Sequence, residues 1–372
     1  MIVYISAFLS PHVKPFCDFL YKKTNGEFKY IETIKLTEER KAMGYSYTDE
    51  EAPYLMQLED NIQSIKDIID TAECAIINPC SSDPLLVKNR LANNRITFFI
   101  SERIFKKGLI KVLDPRVWKL FSFLMGKKNK PLYLLCMGGF VAKDFCKLGF
   151  SEDKLFKFGY FPESAESNKK EIDNNNKIEI CWVGRMIDWK RPSFAVEIVE
   201  KLVNDGIDCH LSMCGDGPLM EATKKFAEEK NLASYIDFCG MQKNEMVREI
   251  MASSTVLLST STRMEGWGAV LNEAIDVGTP IVACQDVGAA PYLIKTGYNG
   301  YTFKTDSVDE AVDGIKKIYS QKNTFRKSAL ETSSLWNNTV ASERFWEVLE
   351  DIKNGKFTDK KYENGPMSKE IV

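Results

Sequence analysis

Apolar residues along this chain gather into short runs separated by longer stretches with helical spacing. In the first half the runs read as strands at Ile2–Ser6, Cys74–Asn78, Ile96–Ile100, Leu132–Cys136 and Leu155–Phe158. In the second half they recur more regularly, at Ile178–Val183, Cys209–Cys214, Ile236–Cys239, Val256–Ser259, Ile281–Cys284 and Gly300–Phe303. Between them lie amphipathic patterns such as Ala195, Ile198, Val199 and Leu202. Continuous apolar strands alternating with helices predict parallel βαβ units, in which both sheet faces are covered. Two such halves predict an α/β chain of two Rossmann-like domains facing a cleft, with ligands at the carboxyl ends of the strands.

The polar stretch from Pro162 to Lys177 holds Asn174-Asn175-Asn176 and too little apolar surface to enter a core. It divides the chain into a first domain over 1–163, a linker over 164–177 and a second domain over 178–335. A last helix is expected over about 336–352, packing back on the first domain, and a mobile charged tail over 353–372.

Composition narrows the function classes. With 50 basic and 52 acidic side chains the formal net charge is -2. Such a balance argues against a surface built for nucleic acid, which needs a basic excess. None of the 10 cysteines forms a two-residue-gap pair, so they read as buried free thiols in a reducing cytosol rather than a metal knuckle. The start Met-Ile-Val-Tyr-Ile-Ser lacks a basic leader, and no apolar run approaches a spanning length. The expected location is therefore cytoplasmic.

Four loops that follow strands in the second half carry candidate chemistry. Gly184-Arg185-Met186-Ile187-Asp188-Trp189-Lys190 puts two cations at one strand end, where Arg185 and Lys190 suit a diphosphate. Gly215-Asp216-Gly217-Pro218 is a turn by its residue types. Met241-Gln242-Lys243 follows Gly240 and is placed to border a flat base. The fourth loop holds Glu265, Gly266, Trp267, Gly268 and Ala269, with Glu273 one spacing of eight beyond Glu265. A helix is expected from about Gly268 to Asp276, its N–H groups pointing at an anion. Two carboxylates beside two cations suit a sugar, a diphosphate and a ribose. Each loop alone also reads as ordinary surface turn chemistry.

Together these motifs resemble the donor domain of retaining GT-B glycosyltransferases of family 4. They are G-R-x4-K at Gly184, Arg185 and Lys190, G-D-G-P at 215–218, and E-x7-E at Glu265 and Glu273. The resemblance is strong over about 178–335 and loose before it. It implies a hexosyl transfer from a nucleotide sugar, UDP by frequency, with retained anomeric configuration and neither cofactor nor metal. It implies that Arg185 and Lys190 hold the diphosphate and that Glu265 contacts the moving sugar. Glu273 would contact the ribose, Gly266–Ala269 would lie near sugar and phosphate, and Gly184, Gly215, Met241 and Lys243 would complete the donor site.

The acceptor belongs to the first half by the same resemblance. His12, in the loop after the first strand, is a candidate for acceptor or phosphate contact, against the plainer reading of a surface histidine. His210 reads as structural. Many family members carry a histidine after the strand equivalent to Thr97–Ile100, where this chain has Ser101-Glu102-Arg103. Either Ser101 and Glu102 take over that contact, with Glu102 a candidate base, or the acceptor is placed differently.

Between Arg103 and Lys130 nine basic residues stand against the single acid Asp114, interleaved with apolar residues including Trp118 and Phe121. This suits peripheral contact with an anionic membrane, or a helix packed on the sheet with a solvated basic face. The resemblance to enzymes of lipid-linked saccharides favours the former, and bacterial capsule or exopolysaccharide assembly as the setting. Three alternatives remain open to the pattern: a non-catalytic GT-B subunit aiding a partner, a GT-B epimerase or phosphorylase, and an exported solute-binding protein. The complete donor motifs, the two histidines and the absent leader argue against them in turn.

Overall fold

The computed structural model describes residues 1–38, 41, 45–59, 62–163, 177–358 and 361–372, with the backbone alone at Leu109, Lys111 and Val112. The expected linker, 164–177, lies outside the described residues except for Lys177. The chain forms two units, Met1–Glu163 with Asn338–Val372, and Ser164–Asn337.

The first unit holds a seven-stranded parallel sheet. Its strands are β1 (Ile2–Ser6), β2 (Phe28–Glu32), β3 (Leu55–Gln57), β4 (Cys74–Ile77), β5 (Ile96–Ser101), β6 (Leu132–Met137) and β7 (Leu155–Phe158). They lie in the order β3-β2-β1-β4-β5-β6-β7. Helices cover both faces, so β4 and β6 are buried at every position. The chain winds outward from β1 in both directions, and the loops after β1 and β4 part at the switch point. Strands β2 and β3 were not foreseen. Phe-Lys-Tyr-Ile-Glu and Leu-Met-Gln carry polar residues that break an apolar run.

Arg90 is fully buried in this unit. Its guanidinium donates to the carbonyls of Ala72 at 2.7 Å and Ile96 at 2.8 Å, and also to Ile69. The buried charge is tolerated because these carbonyls engage both terminal nitrogens, although burial lowers its pKa to about 10.

The last helix is Asn338–Lys353. It lays Phe345 against Phe16 and Phe98, each 5.1 Å away between ring centroids. It begins after Trp336, which instead stacks on Tyr292 at 5.4 Å in the second unit. The expectation of a mobile tail is corrected for its end. Met367 and Ser368 are buried, and the backbone bonds Met367 N–H to Lys157 at 2.8 Å and Lys157 N–H to Ser368 at 2.9 Å. Phe357 sits edge-on to Tyr133 and Phe156. The tail therefore covers the open edge of β7, whose unpaired backbone groups would otherwise face water.

The second unit holds β8 (Ile178–Val183), β9 (Cys209–Cys214), β10 (Ile236–Gly240), β11 (Val256–Ser259), β12 (Ile281–Cys284) and β13 (Gly300–Phe303). Their order is β10-β9-β8-β11-β12-β13, all parallel. Its switch point falls between β8 and β11, the strands that precede the loops bearing Lys190 and Glu265. Seven cysteines are buried, Cys146 and Cys239 are partly buried, and Cys80 is exposed; all are free thiols. Among the described residues no helix is long and apolar enough to cross a membrane.

Candidate active site

Three strand-end loops of the second unit are stitched into one surface. Gly184 N–H donates to Cys214 at 3.0 Å, Met186 N–H to Asp216 at 2.8 Å, and Gly215 N–H to Gly240 at 2.8 Å. This close approach demands glycine. A Cβ on Gly215, whose φ is +132°, would lie 1.9 Å from the Gly184 carbonyl oxygen. Gly215 thus supports the cation loop from below, with its amide spent on Gly240.

The cation loop turns through Asp188–Lys190 and reaches Arg191, a non-glycine residue at φ +53°. Thr260, fully buried at the end of β11, holds this turn. Its hydroxyl donates to the Lys190 carbonyl at 2.6 Å and accepts from the Trp182 indole at 2.8 Å. Thr262 N–H donates to Trp189 at 2.8 Å. Arg191 lies over Phe194 at 4.0 Å and pairs with Asp306 at 2.6 Å. Arg185 is exposed, 6.0 Å from the Trp189 ring.

The loop after β11 is fastened in turn to the loop after β12. Gly288 N–H donates to Glu265 at 3.3 Å and Ala289 N–H to Trp267 at 2.9 Å. The Trp267 side chain is buried, and its indole donates to Asn272 at 2.8 Å. What Trp267 offers a ligand is backbone. The helix beyond starts at Val270 rather than Gly268 and spans seven residues. The Leu271 N–H is already spent on Gly268, so this end has fewer free donors than the sequence suggested.

One ion pair and one partly buried carboxylate define the chemistry. Lys190 Nζ pairs with the Glu265 carboxylate, both side chains being more than four-fifths buried. Glu273 lies next in line: burial raises its pKa, while Arg248 and Lys190 pull it down. Lys190 therefore contacts Glu265, and its charge is also felt at Glu273. Met241 and Lys243 are exposed at the end of β10. Four of the predicted residues, Arg185, Lys190, Glu265 and Glu273, lie at the switch-point end of one sheet. Such a set can hold an anion and accept hydroxyl hydrogen bonds side by side. Among the described residues no group of three or more metal-ligating side chains comes together.

The first-half candidates lie on loops after β1 and β5. Burial lowers the pKa of His12, whose Nδ1 is buried and unpartnered. Ser101 is fully buried, its hydroxyl turned to the Glu102 carbonyl at 2.8 Å and to Cys80. Glu102 pairs with Lys106 and accepts from the Tyr160 hydroxyl. Tyr160 also faces His12, with ring centroids 5.9 Å apart. It joins the two candidates and was missed, although it stands two residues past β7. Glu32 was missed along with β2. Almost fully buried, it accepts Leu9 N–H at 2.8 Å and holds the loop that carries His12. His210 bonds Asp237 at 2.9 Å across β9 and β10, a structural contact.

Residues 163–332 match the family model of glycosyl transferases group 1, and the second unit of this chain belongs to that family. The chain is 26% identical over 185 residues to the phosphatidylinositol N-acetylglucosaminyltransferase GPI3 subunit of Saccharomyces cerevisiae, covering 50% of this chain and 39% of that protein. It thus spans about two-fifths of the length of that relative. It is 31% identical over 267 residues to the uncharacterized glycosyltransferase MJ1069 of Methanocaldococcus jannaschii, covering 68% of this chain and 65% of the relative. In fold it is similar to Anabaena Alr3699/HepE in complex with UDP, with a TM-score of 0.70 at 14% identity over 94% of this chain and 99% of that one.

Proposed function

We propose that this chain moves a hexosyl group from a UDP-sugar to a saccharide or lipid-linked saccharide acceptor, with retention at the anomeric carbon. The carrying observation is the ion pair of Lys190 with Glu265 at the switch-point end of the second sheet. Arg185 and Lys190 take the diphosphate and stabilise the charge that grows as the sugar–phosphate bond breaks. Fixed cations supply this stabilisation without reorganising during the reaction, so the reading assigns it to side chains rather than to a metal or cofactor. Glu265 accepts from hydroxyls of the moving sugar and Glu273 from the ribose. The UDP in the HepE structure supports the choice of base.

The acceptor falls to His12 and Glu102 in the first unit, with Tyr160 between them. Capsule or exopolysaccharide assembly at the inner face of a cytoplasmic membrane is the proposed setting. Support comes from exposed Ile110, Leu113 and Trp118, at 75%, 81% and 56% exposure, in the basic stretch, and from the lipid in the GPI3 name. Some of the basic charge is compensated, since Arg116 pairs with Asp114 and Lys119 with Asp83.

The test is turnover of UDP-glucose, UDP-galactose and UDP-N-acetylglucosamine by the wild type, Arg185→Ala and Glu265→Ala. The reading expects one donor to be consumed and a loss of about 10²–10³-fold in each folded variant. Normal turnover in both variants would remove the site assignment. Flotation with phosphatidylglycerol vesicles tests the membrane contact. Binding lost in Ile110→Ser/Leu113→Ser/Trp118→Ser supports it, and no binding by the wild type refutes it.

A further inference from the structure

Lys190 and Glu265 form an ion pair in which each charge offsets the other. Their positions are prebuilt. The Lys190 backbone is held by Thr260, and its aliphatic stem runs past Gly184, where an added Cβ would stand 3.5 Å from Cδ. The Glu265 backbone is held from both sides, its N–H by Thr262 and its carbonyl by Gly288. Side-chain exposures of 16% and 17% leave little water to screen the pair.

We propose that this ion pair makes the site select an intact nucleotide sugar over the spent nucleoside diphosphate. The inference rests on the donor-site reading above. A bare diphosphate has to draw Lys190 away from Glu265. That leaves a partly buried carboxylate unpaired beside phosphate oxygens of like charge, which is costly. A diphosphate that carries its sugar brings hydroxyl donors for the abandoned carboxylate, so the exchange is compensated. Arg185 is exposed and can meet either ligand first. Once the sugar has gone to the acceptor, Glu265 loses those donors and Lys190 returns to it. The same pair that disfavours product binding then promotes product release.

The Glu265→Gln substitution removes the competing charge and keeps the shape. Calorimetric titration of UDP with UDP-glucose, and of GDP with GDP-mannose, into wild type and variant reads the effect. The pair that binds the wild type more tightly is the one followed. In Glu265→Gln the free nucleotide should bind about three- to tenfold more tightly, the size of a modest ion-pair release. The preference for the sugar-bearing form should shrink with it. An unchanged or weaker nucleotide affinity in the variant would overturn the inference while leaving the donor site standing. Failure of all four ligands to bind the wild type would overturn the donor reading and this inference together. If Glu265→Gln does not fold, Glu265→Asp takes its place. It retracts the carboxylate, so the shift should run the same way with smaller size, and no shift overturns the inference.

Discussion

The interlocked glycines of the second unit allow two causes of strain to be separated. Gly288 does not occupy the left-handed region, yet a Cβ there would stand 1.7 Å from the Gly266 carbonyl oxygen and 2.6 Å from its carbon. Both are backbone atoms, so relief requires moving the loop that carries Glu265. Gly206 is the converse case, at φ +74° with nothing within 4 Å of a built Cβ. Gly215 combines both, at φ +132° and 1.9 Å from the Gly184 carbonyl. Gly206→Ala should cost about 1–2 kcal/mol, the backbone penalty alone. Gly288→Ala should cost at least about 4 kcal/mol, since rigid overpacking cannot be absorbed by a rotamer. For a unit of this size, about 1 kcal/mol lowers Tm by roughly 2–4 °C. Gly206→Ala should therefore melt roughly 2–8 °C below wild type, Gly288→Ala at least about 8 °C below, and Gly215→Ala lowest of the three. Circular dichroism melts give the comparison, and nucleotide titration on the folded fraction reports whether the cation loop has shifted. Gly288→Ala melting level with Gly206→Ala would refute the account of a tightly fastened site.

Two further outcomes follow from the buried polar groups. Trp267→Phe removes the donor to the Asn272 side chain and should cost about 1–3 kcal/mol in urea unfolding; wild-type stability would contradict the role of that bond. Burial raises the Glu273 pKa, so its charged form is disfavoured in the folded state. That penalty is absent below the unfolded carboxylate range near pH 4.5 and complete above the raised folded value. Glu273→Gln should therefore raise Tm at pH 8 and leave it unchanged at pH 4, and an equal gain at both would contradict a desolvated carboxylate.

Much of the second sheet was legible because strands buried on both faces must be apolar throughout. Val256–Ser259 and Ile281–Cys284 are buried at every position and stood out as unbroken runs. In the first unit β2 escaped because Lys29 and Glu32 interrupt it, and the buried Glu32 is a polar residue that only tertiary contacts justify. The positions of Lys190 and Glu265 were readable because each follows a strand by a few residues, and Glu273 from its spacing of eight beyond Glu265. The contact of Lys190 with Glu265 was not, because it depends on the crossover between β8 and β11. The loop at Gly288 went unnoticed for a related reason: its close approach to Gly266 joins residues 22 positions apart, and no local pattern marks it. The tail looked mobile because its charged residues outnumber its apolar ones. A few apolar side chains, Phe357 and Met367 among them, suffice to seat it on β7.

The central claim is that the switch-point end of the second sheet binds a nucleotide sugar. A thermal-shift screen of UDP, GDP, ADP and their sugars tests it without knowledge of the acceptor. A ligand that binds the native state raises Tm by mass action. One nucleotide and its sugar should raise the melting temperature of the wild type, with the sugar-bearing form giving the larger shift, and should leave folded Arg185→Ala nearly unmoved. No shift with any nucleotide, or an equal shift in wild type and Arg185→Ala, would contradict the account.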